Sequence, residues 1–187
     1  MRSLSEIDTT VKRASKSLGF SWGVSEEIGK SIRQLELFGL HGIKNLNNYF
    51  KLLKKKKFQN ISLITKKNSS NISYCPINTG VNFLDQINIL ENLEEIEFIN
   101  LAFPILFIPF VSRASEVIGR RIKISIDKQI YLLNYNQTIY SNVISETVIN
   151  NGNLVKLNIL ENTDSFSDSE WNEIYKMSED TFVEENE

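Results

Sequence analysis

The chain has 187 residues, 41% hydrophobic and 24% charged, the balance of a globular domain that can bury roughly 70% of the surface its unfolded form exposes. One cysteine and one histidine exclude an internal disulfide and a Cys/His metal centre, and neither a metal nor a cofactor is expected. The formal net charge of −2 hides an asymmetry: ten acidic residues and one basic residue follow Leu160, so residues 161–187 carry −9 and residues 1–160 carry +7.

Ser3 and Glu6 form a capping box ahead of Leu4, Ile7, Val11, Ala14 and Leu18, which recur at helical spacing until Gly19. A second helix is predicted over 22–38, stopped by Gly39. A third follows Gly42, with Ile43, Leu46, Phe50 and Leu53 turned inward. After Lys57 the period changes. Segments 60–66 and 71–74 read as a hairpin around Asn68-Ser69-Ser70. Residues 79–91 read as a helix, and 101–111, apolar on both faces, as a buried strand whose Pro104 and Pro109 fall at bends or an edge. Residues 112–118 form a helical turn closed by Gly119, and 121–126 and 129–133 are strands around Asp127-Lys128. Asn151-Gly152 is the strongest hairpin signal, joining 143–149 to 154–160. Ser167 and Glu170 repeat the capping box before a helix around 171–177.

Helices first and mostly hairpin-connected strands afterwards indicate an α+β fold. An N-terminal three-helix unit (1–57) precedes a mostly antiparallel sheet with a few short helices (58–160) in the same domain, and an acidic tail with one short helix (161–187) closes the chain. The tail is either a solvated end or a segment that folds back over a basic face and competes with an anionic ligand or partner. The N-terminus turns polar at once, and the most apolar stretch, 101–111, has eleven residues and two prolines. A cytoplasmic protein without membrane association is expected.

The chemistry concentrates in the second helix. Trp22, Glu26, Gly29, Arg33 and Glu36 line one face, while Val24, Ile28, Ile32 and Leu35 line another. Glu26 and Arg33 stand about 10 Å apart along the axis, and the bare Gly29 between them admits either a small ligand or a second helix. His41, in a glycine-flanked turn, is the one side chain with an ordinary pKa near neutrality, hence the candidate acid or base. Cys75, before Pro76, is either a buried small hydrophobe or a thiol at a site. Asp85 supplies a carboxylate outside any calcium-loop or catalytic-pair spacing. Gly119-Arg120-Arg121 and the run Lys54, Lys55, Lys56 and Lys57 carry positive charge without a phosphate loop or interleaved aromatics, so no nucleic-acid partner is expected.

Several of these residues carry a resemblance. Ser3-Leu4-Ser5-Glu6-Ile7, then Gly19-x-x-Trp22-Gly23-x-x-Glu26-Glu27-x-Gly29 with Arg33, Cys75-Pro76-Ile77 with Gly80 and Asp85, Pro104-Ile105-Leu106 with Pro109-Phe110, and Trp171 with Thr181-Phe182-Val183 resemble an uncharacterised bacterial family of about 200 residues, a domain of unknown function. The tryptophan-glycine-acid-acid-glycine segment is its specific part. The family pattern continues into a glycine-rich ending, where this chain has Glu184-Glu185-Asn186. The resemblance implies a shared fold unit and names no reaction. A shorter segment, His41-Gly42-Ile43-x-x-Leu46-x-x-Tyr49, is similar to the N-terminal part of the type-2 malate and lactate dehydrogenases, whose Ser-His-Gly histidine is an acid or base; Leu40 replaces the serine here.

Two functional readings follow. In the first, the protein is a non-catalytic accessory subunit or small-metabolite binder, with Trp22, Glu26, Arg33, Cys75 and Asp85 as ligand-binding candidates and a protein or an anionic small metabolite as partner. In the second, it is a small cofactor-independent enzyme with His41 as proton-transfer group and Arg33 as anion anchor. The second requires His41 and Arg33 in one pocket.

Overall fold

The computed structural model describes residues 2–142, 148–179 and 181. It is an α+β fold in which three N-terminal helices precede a mixed six-stranded sheet with further helices. α1 (Leu4–Ser17), α2 (Trp22–Leu37) and α3 (Gly42–Leu53) begin and end where capping chemistry places them. Ser3 Oγ accepts from Glu6 N, and Ser21 does the same for Val24 N. Gly39, at φ +69°, turns the chain so that Leu40 N reaches Leu35 O at 2.8 Å.

The sheet is built from β1 (Lys67–Tyr74), β2 (Glu95–Ala102), β3 (Ile122–Ile126), β4 (Gln129–Leu133), β5 (Ile139–Ser141) and β6 (Asn151–Ile159), in the order β1-β2-β6-β3-β4-β5. The β1–β2 pair is parallel and the others are antiparallel. Period-2 alternation sends one set of side chains inward. Registers align them in rows, Phe98–Val155–Ile126 and Ile96–Leu157–Ile124–Tyr131, all fully buried. On the opposite face Lys156 lies between Glu95 (2.7 Å) and Glu97 (3.7 Å). α4 (Pro76–Leu90) and α5 (Ile108–Ile118) pack against each other, and α5 packs against α2, β3 and β4. Gly80 makes the α4–α5 contact close: a Cβ there would lie 2.3 Å from the Phe110 ring. α6 (Asp168–Glu179) is the last helix among the described residues, and its capping box forms as expected, with Glu170 Oε2 accepting from Ser167 N at 2.7 Å.

Three expectations are corrected. Segments 60–66 and 71–74 are not a hairpin: 67–74 is one strand, parallel to β2 and connected to it through α4. Asn68 keeps a turn-like role at the start of the strand, accepting from Thr65 N and donating to Thr65 O and Glu97 O, while Ser70 lies at a bulge. The register passes from Ser69↔Ile99 to Tyr74↔Leu101, and Asn100, at φ +69°, bridges the gap by donating to Ser70 O and accepting from Ser73 Oγ. Only the start of 101–111 is strand. β2 ends at Ala102, Phe103 turns at φ +42°, a 3-10 helix covers Pro104–Phe107, and Pro109 sits in the first turn of α5, where its missing N–H costs nothing. The segment is apolar all round because α3, α4, α5 and β6 surround the 3-10 helix. Finally, Asn151-Gly152 is not a turn. It opens β6 opposite Ala102 and Leu101, and Gly152 leaves room for Val155 and Pro104. Of its proposed partner strand, 143–147 lie outside the described residues, and 148–149 form no strand.

Candidate functional site

The polar stripe of α2 meets α1. A Cβ on Gly29 would stand 2.5 Å from Asp8 Oδ1 and 2.9 Å from Asp8 O, so the glycine admits a neighbouring helix backbone. Lys12 donates to Glu26 at 2.5 Å, Arg33 approaches Asp8 at 3.7 Å, and Lys12 and Lys16 lie 5.9 and 5.4 Å from the centre of the Trp22 ring. The bond from Lys12 holds the Glu26 carboxyl below its ordinary value of 4.5. Trp22 is still 57% exposed. Glu36 leaves the stripe to accept from Ile43 N at 2.7 Å, capping α3 where His41, at φ +51°, makes no side-chain cap.

Arg33 also lines a cleft of about 540 Å³ between α2, α5 and the β4–β5 turn, together with Lys30, Gln34, Arg113, Asn136 and Gln137, over Leu4, Leu37 and Phe38. Three cations and three amides line it, and no carboxylate does. Their positions follow from the helix period and from one buried network. Lys30, Arg33, Gln34 and Leu37 recur at three and four residues on α2. Gln34 Nε2 donates to Ser112 Oγ and to Gln137 O, both at 2.9 Å, which ties α2 to α5 and to the turn. Gln137, at φ +64°, donates in turn to Glu116 at 2.6 Å.

Arg113 is the most buried of the cations, its side chain 15% exposed. It pairs with Glu27 at 3.0 Å, donates to Ser31 Oγ at 3.3 Å and stacks over the Phe110 ring at 4.8 Å, while its Nε is buried with no hydrogen-bond partner. Burial pulls its guanidinium below the ordinary arginine value, and Glu27 and Glu116 oppose that pull. Glu27 also holds Lys30 at 3.1 Å. Asp8 stands against Arg33 and Glu27 against Lys30 and Arg113, while Glu116 acts on Arg113 from the neighbouring cleft.

The other sequence candidates lie apart. Asp85 lines a neighbouring cleft of about 460 Å³ with Glu27, Glu116, Phe110 and Arg113. Arg113 therefore separates a basic cleft from an acidic one. Among the described residues no group of three or more His, Cys, Asp or Glu side chains could hold a metal ion. Cys75 is buried at the N-terminus of α4, 3.1 Å from Tyr49 Oη, and burial pushes the Tyr49 phenol far above its ordinary value. It lines a third cleft, of about 440 Å³. His41 lines none of these clefts. A further cleft of about 800 Å³ is mostly apolar, with Leu4, Ile7, Leu37 and Ile43 bordered by Arg2, Glu6 and Glu36.

Sequence reasoning found Arg33 and missed Lys30, Gln34, Arg113, Asn136 and Gln137. Lys30 and Gln34 share the helical face of Arg33 and were legible by period. Arg113 was not, because its helix was read as a strand followed by a single turn; an arginine among the small residues Ser112, Ala114 and Ser115 was the available signal.

Residues 2–75 match the model of a family described as Protein of unknown function (DUF3726), a stretch that contains the tryptophan-glycine-acid-acid-glycine segment and bears out the resemblance it carries. No curated protein and no solved structure matches the chain. Among the described residues no helix is long and apolar enough to cross a membrane.

Proposed function

We propose that this protein is a non-catalytic cytoplasmic binder of a small anionic metabolite, carboxylate- or amino-acid-like, held in the cleft between α2 and α5. One observation carries the reading: Lys30, Arg33 and Arg113 converge with Gln34, Asn136 and Gln137 on a cleft of about 540 Å³ lined by no carboxylate. Its volume falls within the roughly 300–1,000 Å³ of small-molecule sites. Arg33, whose side chain is 52% exposed and whose contact with Asp8 is long at 3.7 Å, is free to exchange that contact for a bidentate pair with a ligand carboxylate. Leu4, Leu37 and Phe38 offer an apolar floor for the rest of the molecule.

The alternative enzyme reading has less support, since His41 is not among the residues beside Arg33 in this cleft. The accessory-subunit reading draws on the exposed Leu4, Leu37 and Ile43 of the cleft of about 800 Å³.

The test is a thermal-shift screen of small carboxylates and phosphates on the full chain and on Arg33→Ala. At least one anion should raise the melting temperature of the native chain, by roughly 5 °C or more at saturating ligand, and Arg33→Ala should abolish the shift while keeping the unliganded melt. A native chain that responds to no anion, or a shift that survives in Arg33→Ala, refutes the assignment.

A further inference from the structure

Every residue of α6 is exposed, yet the helix is amphipathic. Trp171, Ile174 and Tyr175 form a stripe at i, i+3 and i+4, each more than half exposed, and Phe166 stacks on Trp171 at 5.5 Å. Asp168, Glu170, Glu173 and Glu179 against the single Lys176 give α6 a charge of −3. A helix of twelve residues is marginal in water on its own, so an apolar stripe of this kind needs a surface to cover it.

The chain itself carries a surface of matching chemistry. In the cleft of about 440 Å³ beside α1 and α3, Leu18, Phe20, Leu53 and Phe58 are half-buried around Tyr49 and Cys75. Lys56 and Lys57 rim it, Lys54 and Lys55 precede them, all four are exposed, and no carboxylate lines the cleft. The larger apolar cleft is bordered by Glu6 and Glu36 against Arg2 alone, which opposes an acidic helix.

In this structure α6 covers no surface of its own chain, since every one of its residues is exposed. The acidic, aromatic stripe and the lysine-rimmed cleft are complementary and each stands uncovered, so a second copy can supply each with the other.

We propose that α6 docks in the lysine-rimmed cleft of a second copy, and that reciprocal exchange of the two helices makes a closed dimer. Sedimentation velocity on the full chain over a concentration and salt series tests this with two variants, Trp171→Ala/Ile174→Ala and Lys54→Glu/Lys55→Glu/Lys56→Glu/Lys57→Glu. The native chain should dimerise, less tightly as salt rises. Each variant should weaken association at least about tenfold. Every substituted side chain is exposed, but Lys54 caps α3 and Lys56 lies 5.0 Å from the Phe58 ring, so the lysine variant should also melt slightly earlier as a dilute monomer and is compared at a temperature where it stays folded. An equimolar mixture of the two variants should associate more tightly than either alone, since one helix–cleft contact is restored. A native chain that stays monomeric, with α6 over its own surface or over none, overturns the proposal. So does a dimer that either variant leaves intact.

Discussion

Replacing Gly80 by alanine sets two effects of opposite sign against each other inside one helix. The new methyl would lie 2.3 Å from Phe110 Cδ2, 2.5 Å from Cγ and 2.9 Å from Cε2. Carbon atoms settle at about 3.5–4.0 Å, so α4 and α5 must separate by about 1 Å or the ring must turn. Phe110 is buried with the Arg113 guanidinium 4.8 Å from its ring, and it also borders the cleft of about 460 Å³. Overpacking of this kind costs about 1–3 kcal/mol, and the upper part applies because turning the ring into the cleft would break its contact with Arg113. Alanine in place of glycine in a helix interior returns about 1 kcal/mol. The net loss is about 1–2 kcal/mol, a fall in melting temperature of about 2–8 °C for a chain of this size. Gly23→Ala supplies the control, because a Cβ there meets nothing within 4 Å; it should stabilise by about 0.4–1 kcal/mol. Urea denaturation of the two variants beside the native chain decides the matter. A Gly80→Ala protein as stable as the native one would refute the close α4–α5 contact at Phe110.

Other consequences can be checked in the same way. Asn100→Ala removes hydrogen bonds to Ser70 and Ser73 and puts alanine at φ +69°. A loss of about 2 kcal/mol is expected, and Asn100→Gly should lose less because the backbone strain is relieved; equal losses would contradict this. Ser167→Ala should lower the helicity of α6, measured by hydrogen exchange, by about 1 kcal/mol of local stability, while the dilute global melt stays put because α6 is exposed throughout. Hydrogen bonds from Lys12 and Lys156 hold Glu26 and Glu95 below the ordinary 4.5. Their stabilisation is therefore complete above about pH 4.5 and is lost as pH falls through the depressed folded values. The urea midpoint should drop below that pH, and less steeply in Lys12→Met; identical profiles would count against the Lys12–Glu26 pair.

Local rules sufficed wherever one signal acted alone. Capping boxes at Ser3 and Ser167, glycine stops at Gly39 and Gly119, and apolar periods of 3.6 and 2 determined the helices, the β3–β4 hairpin and the α+β class from the residues alone. Arg33 was legible for the same reason, being an exposed cation on a helix whose opposite face is apolar. The failures share a cause. Asn151-Gly152 has the chemistry of a turn, but seven-residue pairing of β6 with β2 outweighs a two-residue preference. Segment 101–111 is apolar on all sides because four elements enclose it, and a periodicity cannot distinguish a strand from a helix when every direction is inward. The basic cleft was invisible on the same grounds. Its residues come largely from α2, α5 and a distant turn, joined through Gln34 to Ser112 and, 103 positions along the chain, to Gln137. Only packing brings those segments together, because a buried amide must find partners wherever the fold supplies them.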